Sequence, residues 1–123
     1  MAGRSVLVDT NVIIYLIDGH RKAAEILKDK RLNFSFISEI ELLSFKKLSR
    51  EGERYILKIL SESSILHSDE KITKLAIKIR KQVNLEIPDS IIAATAIRHN
   101  LPIVTADWGL AKVSGLQLIQ YSL

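Results

Sequence analysis

The stretch SVLVDTNVIIYLI, residues 5–17, carries the pattern that predicts the fold. Residues 5–8 form a short apolar run, which is typical of a buried strand, and Asp9 ends that run. Residues 10–11 then predict the start of a helix, whose apolar residues continue until Gly19 closes it. A buried strand that leads through one acidic residue into a helix is the opening unit of an α/β fold.

Short apolar runs alternate with helical segments along the rest of the chain. Further strands are predicted at residues 34–37, 65–66, 103–105 and 117–119. Helices are predicted at residues 20–29, 38–48, 51–61, 70–82 and from 88 to about 97. This alternation predicts a three-layer α/β/α fold, in which helices cover both faces of a mainly parallel sheet of four to five short strands. The length of 123 residues fits a single domain, residues 1–123.

Composition limits the classes of protein that the chain can belong to. Hydrophobic residues make up 47% of it, which is enough for a packed core and argues against disorder. The absence of cysteine excludes disulfides and thiolate metal sites. No apolar run is long enough for a signal peptide or a membrane span, so we expect a cytoplasmic protein without membrane contact. The net charge of +4 is compatible with a nucleic-acid partner.

Four acidic residues fall at predicted strand ends or helix starts. Asp9 follows the first strand, and Asp107 comes two residues after the strand at 103–105. Glu41 and Asp89 lie in the first turns of predicted helices. Because the carboxyl ends of parallel strands meet at one edge of a sheet, we expect the four carboxylates to lie near one another.

Each acid also has a purely structural interpretation. Asp9 could cap the first helix, and Asp89 could favour the positive end of a helix dipole. Glu41 stands three residues after Ser38, which is the spacing of a capping box. Asp107, close to Gly109, could belong to a turn. Taken singly, each acid is better explained in this way.

The four acids together favour a metal site. Two carboxylates about 4 Å apart repel by roughly 4 kcal/mol at an effective dielectric of about 20. Either the acids raise one another's pKa values or a cation lies between them. A set of oxygen ligands without cysteine favours Mg²⁺ or Mn²⁺ over zinc. Such an ion keeps several waters, one of which can attack a phosphodiester.

The segments around these acids resemble the motifs of the PIN-domain family. The matching segments are VDTNV at 8–12, IELLS at 40–44, LEIPDSIIAATA at 85–96 and LPIVTAD at 101–107. Their order and spacing make the match specific over nearly the whole chain. Within the family, the size and the second and third motifs look most like VapC toxins of VapBC toxin–antitoxin pairs. Trp108 stands where many relatives carry a further polar or acidic residue, which puts a fifth acidic ligand in doubt.

This resemblance implies a specific function. It implies a Mg²⁺- or Mn²⁺-dependent endoribonuclease whose metal ligands are Asp9, Glu41, Asp89 and Asp107. It also implies polar support from Asn11 and Thr105. A VapC-like protein would form a homodimer, cleave RNA and bind a VapB-like antitoxin protein. Separately, the position of Arg80 near the third motif suggests that it could meet a substrate phosphate.

Other functions remain open at this stage. A PIN-domain nuclease could process RNA outside any toxin–antitoxin system, or act as a catalytically silent scaffold. A metal-binding signalling domain of the phospho-receiver type also places acids at strand ends. That class would need an adjacent acidic pair after the first strand and a lysine after the last core strand, whereas Asp9 is alone and Ala106 follows Thr105.

Overall fold

A computed structural model describes residues 3–122 of the chain. Its five strands are β1 (Ser5–Val8), β2 (Arg31–Ser35), β3 (Ser64–Leu66), β4 (Ile103–Thr105) and β5 (Leu118–Gln120). Its helices are α1 (Thr10–Ile17), α2 (Arg21–Leu27), α3 (Phe36–Leu43), α4 (Arg50–Ser61), α5 (Glu70–Gln82) and α6 (Ile87–Arg98). A 3₁₀-helix, Trp108–Lys112, follows β4. Within residues 3–122, no helix is long and apolar enough to cross a bilayer.

The strands form one sheet in the order β3-β2-β1-β4-β5, and every neighbouring pair is parallel. The predicted α/β/α fold with a parallel sheet is therefore confirmed. The chain first builds the sheet outward from β1 to β3, then returns across it to place β4 on the other side of β1. The direction of winding reverses between β1 and β4. In such sheets ligands bind beyond the carboxyl ends of the strands at this reversal.

Two apolar cores lie on the two faces of the sheet. Successive residues of a strand point to opposite faces, so Val6 and Val8 enter one core and Leu7 enters the other. The first core is completed by α1, α2, α3 and α4, and the second by α5, α6 and the 3₁₀-helix. Helix α6 is apolar nearly all round, and residues 92–96 are at most 1% exposed. It is therefore buried against the sheet, as its sequence predicts.

The second strand and the helix after it begin earlier than predicted. Strand β2 starts at Arg31 rather than at residue 34, because its first residues pair with β1, and β3 joins on the other side from Asn33 onward. Helix α3 starts at Phe36 rather than Ser38, since the Ser35 hydroxyl caps it by accepting from the Ile37 amide at 3.1 Å. The helix also ends at Leu43, before the predicted residue 48. Because α3 starts at Phe36, Glu41 lies beyond its first turn.

Candidate functional site

Asp9 lies at the point where the winding of the sheet reverses. It follows β1 directly, stands at the N-cap of α1 and is only 7% exposed. Its backbone amide donates to the Val104 carbonyl at 3.0 Å, which joins it to β4. Its carboxylate oxygen Oδ2 accepts a hydrogen bond from Thr105 Oγ1 at 2.8 Å. Neighbouring strands thus hold this carboxylate in a fixed position.

Thr105 also positions Asp107. The Thr105 hydroxyl is fully buried, and it accepts from the Asp107 amide at 2.9 Å while donating to Asp9. The Asp107 carboxylate accepts from the Gly109 amide at 2.8 Å, so it also caps the 3₁₀-helix. The turn expected at Asp107 exists, and it presents an exposed carboxylate beside the buried one. One hydroxyl therefore links two of the four acids.

Glu41 is held by the hydroxyl group of Thr10 at the start of α1. Its Oε1 accepts from Thr10 Oγ1 at 2.7 Å, and the same Thr10 oxygen lies 2.8 Å from Ser38 Oγ. Thr10 has a single hydroxyl hydrogen, and it donates this hydrogen bond to the Glu41 carboxylate. The hydrogen bond between Thr10 and Ser38 is therefore donated by the Ser38 hydroxyl. The capping box expected between Ser38 and Glu41 is wrong, because Ser38 lies inside α3 and is fully buried. Glu41 instead faces the start of α1.

Electrostatics show that the acids influence one another. Burial raises the pKa of Asp9 from 3.8 to about 6; the hydrogen bond from Thr105 opposes this rise, and the charges of Asp89 and Asp107 add to it. The pKa of Asp89 is raised chiefly by burial, then by Asp107, Glu41 and Glu86. All four acids singled out in the sequence therefore belong to one electrostatic cluster.

The cluster has the chemistry of a hard-cation site. Its donors are carboxylate and hydroxyl oxygens, which Mg²⁺ and Mn²⁺ prefer. Within residues 3–122, however, no three acidic or histidine side chains converge closely enough to hold one ion. The fit to a metal thus rests on donor type and on electrostatic proximity.

Asn11 and Arg80, which the sequence also suggests for the site, make different contacts in the structure. Asn11 is exposed on α1 and lines a cavity together with Glu41. Arg80 is exposed, and its Nε donates to the Leu85 carbonyl at 3.1 Å, so it contacts the backbone before α6 rather than an acid. The sequence interpretation missed Thr10 as a contact of Glu41. A hydroxyl residue next to Asp9 was the available signal.

Known structures are similar to this chain over nearly its whole length. A toxin–antitoxin complex from Klebsiella pneumoniae contains a chain with 28% identity and a TM-score of 0.82, and the match covers 96% of this chain and 99% of that one. VapBC-1 from nontypeable Haemophilus influenzae matches with 25% identity, a TM-score of 0.76 and coverage of 94% and 97%. VapBC2 from Rickettsia felis, bound to a DNA fragment from their promoter, matches with 23% identity, a TM-score of 0.78 and coverage of 96% and 99%.

Sequence comparison gives the family. No curated protein sequence matches the chain. The family model of the PIN domain, a nuclease-type domain, matches residues 6–116, a span that contains all four acids of the cluster. With the parallel sheet, the buried Asp9 at the reversal point and this match over most of its length, the chain belongs to the PIN-domain family.

Proposed function

We propose that this protein is a Mg²⁺- or Mn²⁺-dependent endoribonuclease and the toxin of a type II toxin–antitoxin pair. The observation that carries the proposal is the buried Asp9 carboxylate, fixed by Thr105 and repelled by Asp89 and Asp107. A buried carboxylate that neighbouring acids repel weakens the folded state, so its presence at the carboxyl ends of the strands points to a bound cation. Family membership favours a nuclease over a receiver-type signalling domain.

The four acids would hold the metal ion. A bound Mg²⁺ or Mn²⁺ would neutralise charge on the scissile phosphate and acidify a water molecule. Thr105 keeps the Asp9 carboxylate in one orientation, and Thr10 does the same for Glu41. Such hydrogen bonds to ligands commonly contribute about 10- to 100-fold to metal affinity or activity. No protein side chain is assigned as a separate general base.

Activity on RNA can be tested directly. The purified chain is incubated with labelled RNA in Mg²⁺, Mn²⁺ or EDTA, and cleavage is followed on a gel. We expect cleavage with either metal, none in EDTA, and none with Asp9→Asn or Asp89→Asn. Asp18→Asn is the matched control, because Asp18 is an exposed residue at the far end of α1. Cleavage in EDTA, or an Asp9→Asn variant as fast as the wild type, contradicts the proposal.

The proposed partners are a VapB-like antitoxin and a second copy of the chain, both in the cytoplasm. The similarity at 28% identity to a chain of a toxin–antitoxin complex supports the antitoxin partner. The chain is expressed alone and together with the protein encoded by the neighbouring reading frame. We expect growth arrest in the first case and recovery in the second. RNA cleavage without growth arrest instead indicates a PIN-domain nuclease that processes RNA outside a toxin–antitoxin system.

A further inference from the structure

A cavity of about 590 Å³ adjoins the acidic cluster on the side of Glu41. It lies between α1 and the segment that follows α3. Its lining includes Glu41 and Asn11 as well as Phe45, Lys46 and Lys47 from the segment after α3. A strand of nucleic acid that passes the acids on this side must therefore run along an aromatic ring and two ammonium groups.

The segment that carries these three side chains is anchored at both ends. Phe45 and Leu48 close a turn, since the Leu48 amide donates to the Phe45 carbonyl at 3.1 Å, and the two lysines occupy its central positions. Leu48 packs against the first core, and Ser49 then caps α4 by accepting from the Gly52 amide at 3.0 Å. Phe45 is nevertheless 39% exposed. Its ring is thus presented to solvent by an ordered turn.

Charge decides what this cavity can accept. An acidic cluster repels phosphodiesters, and at physiological salt only cations within about 8 Å offset that repulsion appreciably. The exposed Lys46 and Lys47 line the same cavity as Glu41 and bring two positive charges to it. The lining combines the aromatic ring of Phe45 with two lysines, and grooves that bind single-stranded nucleic acid pair aromatic rings with positive charge in this way.

We propose that this cavity is a subsite for single-stranded RNA, in which one base stacks on Phe45 and the neighbouring phosphates contact Lys46 and Lys47. The subsite rests on the proposed ribonuclease function, because it positions a strand beside the same acids. Stacking on an aromatic ring tolerates any base. The subsite therefore contributes affinity and orientation, with little selection among sequences.

The test measures binding separately from cleavage. A fluorescent single-stranded RNA of about 12 nucleotides is titrated, in EDTA, with proteins that all carry Asp9→Asn, and anisotropy reports the affinity. We expect Lys46→Ala with Lys47→Ala to make the slope of log affinity against log salt shallower by roughly 1.4, at about 0.7 for each phosphate contact. We expect Phe45→Ala to weaken binding roughly tenfold and to leave this slope unchanged.

Matched controls separate the subsite from general effects. Lys71→Ala with Lys78→Ala removes the same charge from the exposed face of α5, and Tyr55→Ala removes another exposed aromatic ring. Both should leave the RNA affinity and the salt slope near those of the parent protein. Phe45→Tyr should retain the affinity, whereas Phe45→Leu, which keeps apolar bulk without an aromatic face, should weaken it as alanine does. Urea unfolding checks that each variant is folded.

The two proposals fail in different ways. If the lysine and Phe45 variants bind RNA with the parent's affinity and salt slope, the proposed RNA subsite is refuted, and a protein segment becomes the better candidate occupant of the cavity. This conclusion holds even if the wild type cleaves RNA in Mg²⁺. If those variants lose affinity as expected but the wild type does not cleave RNA, the subsite is supported and the hydrolytic function is wrong.

Discussion

Replacing Asp9 by asparagine should stabilise the metal-free protein at neutral pH. Asparagine has nearly the same shape as aspartate, and its carbonyl oxygen can still accept the hydrogen bond from Thr105. It carries no charge, so it escapes both burial of an ionised group and repulsion by Asp89 and Asp107. A substitution that disables the proposed site is thus expected to strengthen the fold.

The size of the effect follows from the pKa of Asp9. Its rise from 3.8 to about 6 corresponds to roughly 3 kcal/mol, at about 1.4 kcal/mol per unit. Because the pKa is raised in the folded state, the wild type has its full stability below pH 3.8. Its unfolding free energy falls by this roughly 3 kcal/mol as the pH rises towards 6. The amide group of asparagine needs a new partner, which offsets about 1 kcal/mol, so we expect a gain of about 2 kcal/mol at pH 7.5.

Urea unfolding followed by circular dichroism in EDTA measures this gain. Wild type and Asp9→Asn are compared at about pH 7.5 and about pH 4, with Asp18→Asn as the control. We expect the m-values to agree, which licenses a direct comparison of unfolding free energies. The gain should be near its maximum at the higher pH and should be absent at the lower one, where Asp9 is protonated in the folded state. The exposed control should stay within about 0.5 kcal/mol of the wild type at both.

Two results would refute this reasoning. One is an Asp9→Asn variant that is no more stable than the wild type at pH 7.5 in EDTA. The other is a gain that is the same at both pH values, because a pH-independent gain cannot come from ionisation of Asp9. Adding Mg²⁺ provides a linked test, in which the wild type gains about 2.7 kcal/mol at a metal concentration of about 100 times Kd. Asp9→Asn should gain much less.

Three further changes test the structural basis of the site. Thr105→Val removes the donor to Asp9; it should destabilise the protein by about 1–3 kcal/mol in urea and raise the pKa of Asp9 further in an NMR titration, and an unchanged titration would contradict the contact. Ser35→Ala removes the cap of α3 and should lower the unfolding free energy by about 1 kcal/mol. An unchanged unfolding free energy would contradict a helix that starts at Phe36 with Ser35 as its cap. Phe34→Ala empties a fully buried site on β2 and should lower it by about 3–5 kcal/mol, a loss below 1 kcal/mol showing that the strand is wrongly placed.

Strand β2 shows where the sequence was insufficient. Its first residues, at 31–33, include Arg31 and Asn33, and nothing in their pattern indicates a strand. They form one because all three pair with β1, and because Asn33 also pairs with β3 and its Nδ2 donates to the Val6 carbonyl at 3.0 Å. Helix α6 is the opposite case. Its apolar residues and Pro88 near its start identify it from local pattern alone.

The candidate site also has features that local sequence predicts and features that it does not. The acids could be chosen from the sequence because each is predicted next to a strand end or a helix start. Asp9, Asp89 and Asp107 occupy such positions in the fold, whereas Glu41 lies further along α3. The role of Ser38 could not be read in this way. Its spacing to Glu41 indicates a capping box, yet the earlier helix start buries Ser38 and directs it to Thr10.

The sequence by itself determined the alternation of strands and helices, the family motifs and the identity of the acids, since these depend on residues close together in the chain. Only the tertiary structure decided that β4 lies beside β1, which brings the Thr105 hydroxyl to Asp9 across 96 positions. The physical reason is that periodicity and capping are local, whereas strand order is set by pairing and packing of the whole sheet. The raised pKa of Asp9 is also a property of the tertiary structure, because it arises from burial among groups that are distant in sequence.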